Sequence, residues 1–233
     1  MTGQQNNGSQ SFLSASKDCL SPRRHAIDPA RARRRPRVGL LGGSFNPAHA
    51  GHRSISLTAL QRLGLDEVWW VVSPQNPLKP IAGMAPFAER LAGARAAARH
   101  PRIRVTDIEA RLGTQYTADT LERLVRRFPG HGFVWLMGAD NLLQIHKWRD
   151  WQRIFHLLPV AVLARPSYSL RALSAPAAQR FLRARWPERL GRRLVQAKPP
   201  AWLLIHGPLN PASATAIRAA RRIGRREGKG VST

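Results

Sequence analysis

Cysteine is almost absent from this sequence: Cys19 stands alone among 233 residues. No intramolecular disulfide can form and no cysteine-based metal cluster can be built, so a reducing compartment, the cytoplasm, is the expected setting. Long apolar runs are missing as well. Met1 to Ser21 is polar and rich in Gln, Asn and Ser, and no later stretch approaches the length that crosses a bilayer. Secretion and membrane insertion are therefore not expected. Neither Gly-x-x-x-x-Gly-Lys nor Gly-x-Gly-x-x-Gly occurs, which leaves a P-loop and a dinucleotide fingerprint unsupported. Acidic residues are scarce too, at 13 against 38 Lys and Arg, for a formal net charge of +25.

That charge is unevenly spread. Arg23, Arg24, Arg31, Arg33, Arg34, Arg35 and Arg37 crowd one end, and Arg221, Arg222, Arg225, Arg226 and Lys229 crowd the other. The length suits one domain with a full-sized core, and the arginine runs favour a domain over 37–222 between a basic extension, 1–36, and a basic tail, 223–233. Such arms bind nucleic acid or anionic membrane, or they stay solvated. In a chain that uses arginine heavily throughout, the solvated reading is preferred, and neither partner is expected. The extension has the composition of a transit peptide without its amphipathic period, so disorder is expected there. Within the core, excess positive charge suits anionic substrates.

Apolar runs and turn residues then order the chain. Val38–Leu41 reads as a first strand, and the helix over Ala50–Leu63 can end at Gly64. Glu67–Val72 is a buried-type strand, followed by a proline-stiffened loop, Ser73–Pro80. A helix over Pro86–Arg99, a short strand at Ile103–Val105 and a helix from Tyr116 to Val125 come next. Phe133–Met137 is a strand, Gly138–Asn141 a turn, and Leu142 to Phe155 one or two short helices. Val160–Ala164 and Trp202–Ile205 are the remaining strands; between them only a helix over Ala177–Ala184 is legible. Ser213 opens a final helix. Strands alternating with helices imply parallel crossovers and a doubly wound, Rossmann-like α/β sheet. Ligands of such sheets bind outside the carboxyl ends of the strands.

Two stretches carry chemistry. After the first strand comes Gly42-Gly-Ser-Phe-Asn-Pro-Ala-His-Ala-Gly-His52. The glycines allow a sharp turn and close backbone approach to a phosphate chain, and Asn46-Pro47 turns the chain into a helix whose first N–H groups attract anions. His49 and His52, three apart, would aim two imidazole donors at the same place. Half of a zinc site is the competing reading, but no cysteine or carboxylate cluster accompanies the pair, so no protein-held metal is expected. The second stretch is Ser213-Ala-Thr-Ala-Ile-Arg218. Ser213 or Thr215 can cap a helix, and Arg218, one turn on, can reach the same anion. Alone, it reads better as an ordinary cap with a surface arginine.

Together these stretches resemble the nucleotidyltransferase superfamily, whose His-x-Gly-His signature is matched by His49-Ala-Gly-His52 and whose late Ser-Ser-Thr-x-Ile-Arg signature is matched except at Ala214. Between them, Asn76-Pro-Leu-Lys79, Tyr116-Thr117 with Asp119-Thr-Leu121, Met137-Gly-Ala-Asp-Asn141 and His146-Lys-Trp148-Arg-Asp-Trp151 resemble the bacterial nicotinate-nucleotide adenylyltransferases. The resemblance covers about Val38 to Arg218, and Asn46 departs from the aspartate common in that family. It implies adenylyl transfer from ATP to nicotinate mononucleotide, with Mg²⁺ carried in on ATP. His49, His52, Lys79 and Arg218 would be catalytic. Gly42, Gly43, Ser44, Phe45, Asp140, Arg165, Ser213 and Thr215 would join His49, His52 and Arg218 in binding ATP. Lys79, Tyr116, Thr117 and Trp148 would bind the acceptor, Trp148 by stacking on its pyridine ring. A phosphopantetheine adenylyltransferase shares the end signatures, but usually has threonine at the place of His49 and lacks the tyrosine-tryptophan pair.

Overall fold

The computed structural model describes residues 34–75, 83–164, 169–207 and 218. The chain divides into two units, Met1–Arg34 and Arg35–Thr233. The second is built on a six-stranded, all-parallel sheet of β1 (Arg37–Gly43), β2 (Glu67–Val72), β3 (Ile103–Thr106), β4 (Gly132–Gly138), β5 (Val160–Leu163) and β6 (Trp202–Ile205), in the order β3-β2-β1-β4-β5-β6. Runs such as Glu67-Val-Trp-Trp-Val-Val72 are apolar on both faces because helices cover both faces of a parallel sheet.

Alternation along each strand divides the core in two. Val38, Leu40, Trp69, Val71, Phe133 and Trp135 face one side, where α4 (Thr117–Arg127), α5 (Ala139–Gln144) and α6 (Trp151–Leu157) pack. Leu41, Val68, Trp70, Val134 and Leu136 face the other, against α1 (Ala50–Arg62) and α2 (Phe87–Ala98). The wind reverses between β1 and β4, so the crevice of a doubly wound sheet lies outside Gly43 and Gly138. The expected fold class is the one observed.

Several local expectations need correction. Gly138–Asn141 is not a turn: β4 runs through Gly138 and α5 begins at Ala139, its first-turn Asp140 being compatible with a helix start. The segment after β3 contains a five-residue helix, α3 (Ile108–Leu112), ended by Gly113 at φ 60°. The stretch before β6 resolves into α7 (Ser169–Leu173), α8 (Pro176–Arg180) and two 3₁₀ segments, Leu182–Ala184 and Glu188–Gln196. The glycines after the first strand do not turn the chain. Gly42 and Gly43 belong to β1, and a Cβ on Gly42 would collide with the Trp135 ring of the neighbouring strand. The residue that takes the left-handed conformation is Phe45, at φ 47°.

Candidate active site

The loop that follows β1 is built around Phe45. Its ring is 2% exposed, stacks on Trp70 with centroids 5.1 Å apart, and lies 4.7 Å from the His52 ring. That packing offsets the cost of a left-handed bulky residue. The Phe45 ring is thus a support for His52. Beneath it, Trp70 Nε1–H donates to Ser56 Oγ at 2.7 Å, and Ser56 donates to the His52 carbonyl at 2.9 Å.

The two histidines play different local parts. His49 is the N-cap of α1, and its Nδ1 accepts from Gly51 N–H at 3.1 Å. His52, one turn on, accepts the His49 N–H on its own Nδ1 at 3.2 Å. An Nδ1 that accepts carries no proton, so each neutral ring holds its proton on Nε2. The rings lie 4.0 Å apart. Residue spacing alone points to a shared face; the capping geometry adds the tautomer, with both Nε2 atoms as donors. Histidine is not a usual cap, which is why the sequence does not announce this one.

The two ends of the core meet here. Arg218, from the late signature, donates through Nη1 to the Asn46 carbonyl at 2.5 Å, across 172 positions of sequence. Asn46 in turn holds the segment before α2: its Nδ2 donates to Gly83 O at 3.2 Å and its Oδ1 accepts from Ala85 N–H at 3.3 Å. Ser44 is buried in the same loop, and Asp140 stands across the crevice in the first turn of α5. Lys79, Arg165, Ser213 and Thr215 lie outside the described residues.

The described residues expected to bind the acceptor lie around the start of α4 and just before α6. Tyr116 is its N-cap and makes no side-chain cap bond; the first helical bond runs from Thr120 N–H to Tyr116 O, so the N–H groups of Thr117, Ala118 and Asp119 point out of the helix end. A cavity of about 410 Å³ runs from there along α4, lined by Gln115, Tyr116, Asp119, Glu122, Arg123 and Arg149 among others; neither Thr117 nor Trp148 lines it. The Arg149 guanidinium covers one face of Tyr116, 4.5 Å from its ring centre. Arg153 bridges Asp119, at 3.2 Å, and Glu122, which ties α6 to the first turns of α4. Trp148, just before α6, is half-buried against the core.

Two buried charged residues escaped the sequence reading. Arg90, 4% exposed, donates to the carbonyls of Ser44, Ser73, Pro74 and Ala85, and burial pushes its pKa down. Glu109, 7% exposed, has its carboxyl pushed up to about 7 by burial, partly offset by Ser73 Oγ at 2.7 Å. Ser73 Oγ, which donates to Glu109 Oε1, also lies 3.0 Å from Gln75 O, and its one hydroxyl proton is shared between these two acceptors.

Comparison with known proteins gives the same direction. Residues 40–220 match the family described as cytidylyltransferase-like. A protein of a Caulobacter species named as a probable nicotinate-nucleotide adenylyltransferase is 53% identical over 81% of this chain and 100% of its own length. One from Cereibacter sphaeroides, of the same name, is 58% identical over 79% of this chain and 98% of its own. The chain belongs to the nicotinate-nucleotide adenylyltransferase family. Its fold is that of the Plasmodium falciparum nicotinic acid mononucleotide adenylyltransferase solved with NaAD, with a TM-score of 0.59 and 17% identity over 79% of this chain and 83% of that one. Within a nicotinate-nucleotide adenylyltransferase, the described residues of the first signature, Arg218 and Asp140 fall on one edge of the sheet. Thr117 opens α4 with Tyr116 as its N-cap, and Trp148 lies in the connection between α5 and α6.

Proposed function

We infer that this chain transfers the adenylyl group of ATP to nicotinate mononucleotide, releasing pyrophosphate and forming the acid form of the dinucleotide. The observation that carries the reading is the bond from Arg218 to the Asn46 carbonyl, which joins the late signature to the early one beside two imidazoles set as Nε2 donors. A phosphate oxygen of the acceptor attacks the α-phosphorus of ATP; that P–O bond forms as the bond to the β-phosphate bridging oxygen breaks, and pyrophosphate departs. The nucleophile arrives already anionic, so no protein base is needed. His49 and His52 donate to the α-phosphate and the departing oxygens, where charge builds. Arg218, with Ser213 and Thr215, holds the phosphate chain of ATP, Lys79 neutralises the reacting phosphate of the acceptor, and the loop after β1, at Ser44 and Phe45, offers ATP backbone N–H groups.

Asp140 serves the ATP ribose, and Arg165 the adenine side or a phosphate. On the acceptor, the outward N–H groups at Thr117 take the ring carboxylate, Trp148 stacks on the ring and Tyr116 borders it. Among the described residues no three His, Cys, Asp or Glu side chains gather as a metal cage. The donors at this edge are imidazole and guanidinium N–H groups, which fit phosphate oxygens, so Mg²⁺ would be held by ATP and water. When bound, it would neutralise phosphate charge. Residues 37–222 form the catalytic domain, with 1–36 and 223–233 as basic tails outside the chemistry. Among the described residues no helix is long and apolar enough to cross a membrane; with the lone cysteine, this supports a cytoplasmic setting.

The test is pyrophosphate release from ATP with a panel of acceptors. Nicotinate mononucleotide should support turnover and phosphopantetheine should not; the reverse would replace this reading with the sister activity.

A further inference from the structure

Arg90 stands where helix periodicity calls for a small apolar residue. With Ala94 and Ala98 it forms the buried stripe of α2, at spacing i, i+4, i+8. A buried guanidinium is costly unless its charge and donors are met. Among the described residues its partners include no carboxylate. Four backbone carbonyls take that place: Ser44 O at 2.7 Å, Ser73 O at 2.7 Å, Pro74 O at 2.5 Å and Ala85 O at 2.9 Å. Those carbonyls belong to three separate segments: the loop after β1, the loop after β2 and the turn before α2. The first leads into the signature histidines, His49 as the N-cap of α1 and His52 in its first turn. The second and third flank residues 76–82, where the sequence holds Lys79.

We propose that Arg90 is a positioning residue for adenylyl transfer, a clamp that fixes the spacing between the loop that leads into His49 and His52 and the two flanks of the segment bearing Lys79. The proposal rests on the functional reading above. The hydrogen bonds of Arg90 all go to backbone carbonyls, while its guanidinium also lies 5.4 Å from the centre of the Phe87 ring on its own helix, and so it acts through the loops it holds. Its planar fork, with donors on Nε and both terminal nitrogens, can reach three segments at once; the point charge of lysine cannot. Asn46 supports the same register from the other side, through Gly83 and Ala85. Because each reacting partner would be held by a different loop, a shift between the loops spoils the in-line approach while each loop still binds its own ligand. Misplacement of about 1 Å costs on the order of a hundredfold in rate.

The test uses Arg90→Lys and Arg90→Ala in the full chain, with kcat, both KM values, ATP-binding stoichiometry and melting temperature measured on each. For protein that binds ATP at wild-type stoichiometry, kcat should fall at least tenfold with KM for ATP little changed. Millimolar guanidinium chloride should restore part of the Arg90→Ala turnover by refilling the vacated site. If Arg90→Ala is insoluble, Arg90→Lys gives the same reading, since it keeps the charge and stem and loses only the fork. Wild-type kcat in the ATP-binding fraction, with a lowered melting temperature alone, would reduce Arg90 to a structural residue and overturn the proposal. Failure of the functional reading looks different: the wild-type protein itself would not release pyrophosphate with nicotinate mononucleotide.

Discussion

At the scale of single residues, the site depends on side chains that hold others in one protonation state or place. His49 caps α1 and orients itself by the same Nδ1 contact. His49→Ala should therefore cost about 1 kcal/mol of stability as a lost cap, and about 3 kcal/mol of transition-state stabilisation, on the order of a hundredfold in kcat. His49→Asn should regain the cap without the turnover, because asparagine is a good N-cap but places no donor at the Nε2 position. Thermal melts and saturating turnover on both variants separate the two roles; a turnover near wild type in either would remove His49 from catalysis. Glu109 gives a pH signature. Below pH 4.5 its carboxyl is neutral in both folded and unfolded chains; between 4.5 and about 7 the unfolded chain ionises first, so stability falls as pH rises. Above about 7 the full penalty stands, roughly 3 kcal/mol. Glu109→Gln should flatten this fall in melts from about pH 5 to about pH 8, and parallel profiles for the two proteins would contradict it. The histidine pair was legible because two imidazoles beside glycines are chemically unusual. Arg90 and Glu109 were not, because arginine and glutamate are ordinarily surface residues and only the fold reveals that these are buried.

Among the elements, the strands were the easiest to read. Continuous apolar runs such as Glu67–Val72 and Trp202–Ile205 have one stable use in a parallel sheet, and the observed bounds of those two agree with the pattern. Helix α3, at five residues, is too short to show a period, and glycine with Asp-Asn at 138–141 has turn chemistry although it forms a strand-to-helix junction. Gly42 shows the same ambiguity from the other side: glycine served packing against Trp135, not a turn. Gly42→Ala should destabilise the protein by about 1 to 3 kcal/mol through overpacking between β1 and β4, with loss of turnover as the loop after β1 shifts. Pairing it with Trp135→Phe should recover much of the stability, since the colliding atom belongs to the part of the indole that phenylalanine lacks. Denaturant midpoints for the two single variants and the double form a cycle that decides it; additive losses would place the strain elsewhere.

For the molecule as a whole, the parallel sheet followed from the alternation of strands and helices, and its reversal between β1 and β4 puts every described loop of the site on one edge. What the sequence could not supply was the joining of its two ends: nothing local to Asn46 or Arg218 says that they touch. Nor could it say that Arg149 and Arg153 bring the elements around Trp148 to the start of α4. That start is where the central claim is most exposed. A helix end with outward N–H groups and no side-chain acceptor at its cap suits an anionic ring substituent, whereas a carboxamide would turn its own donors toward them. Each buried donor left unmatched costs roughly 1 to 3 kcal/mol, so two of them give about a hundredfold discrimination or more. The most direct measurement is kcat/KM for nicotinate mononucleotide and for its nicotinamide analogue under identical ATP and Mg²⁺. The account predicts that the acid is favoured by at least about a hundredfold; equal values, or a preference for the amide, would contradict it.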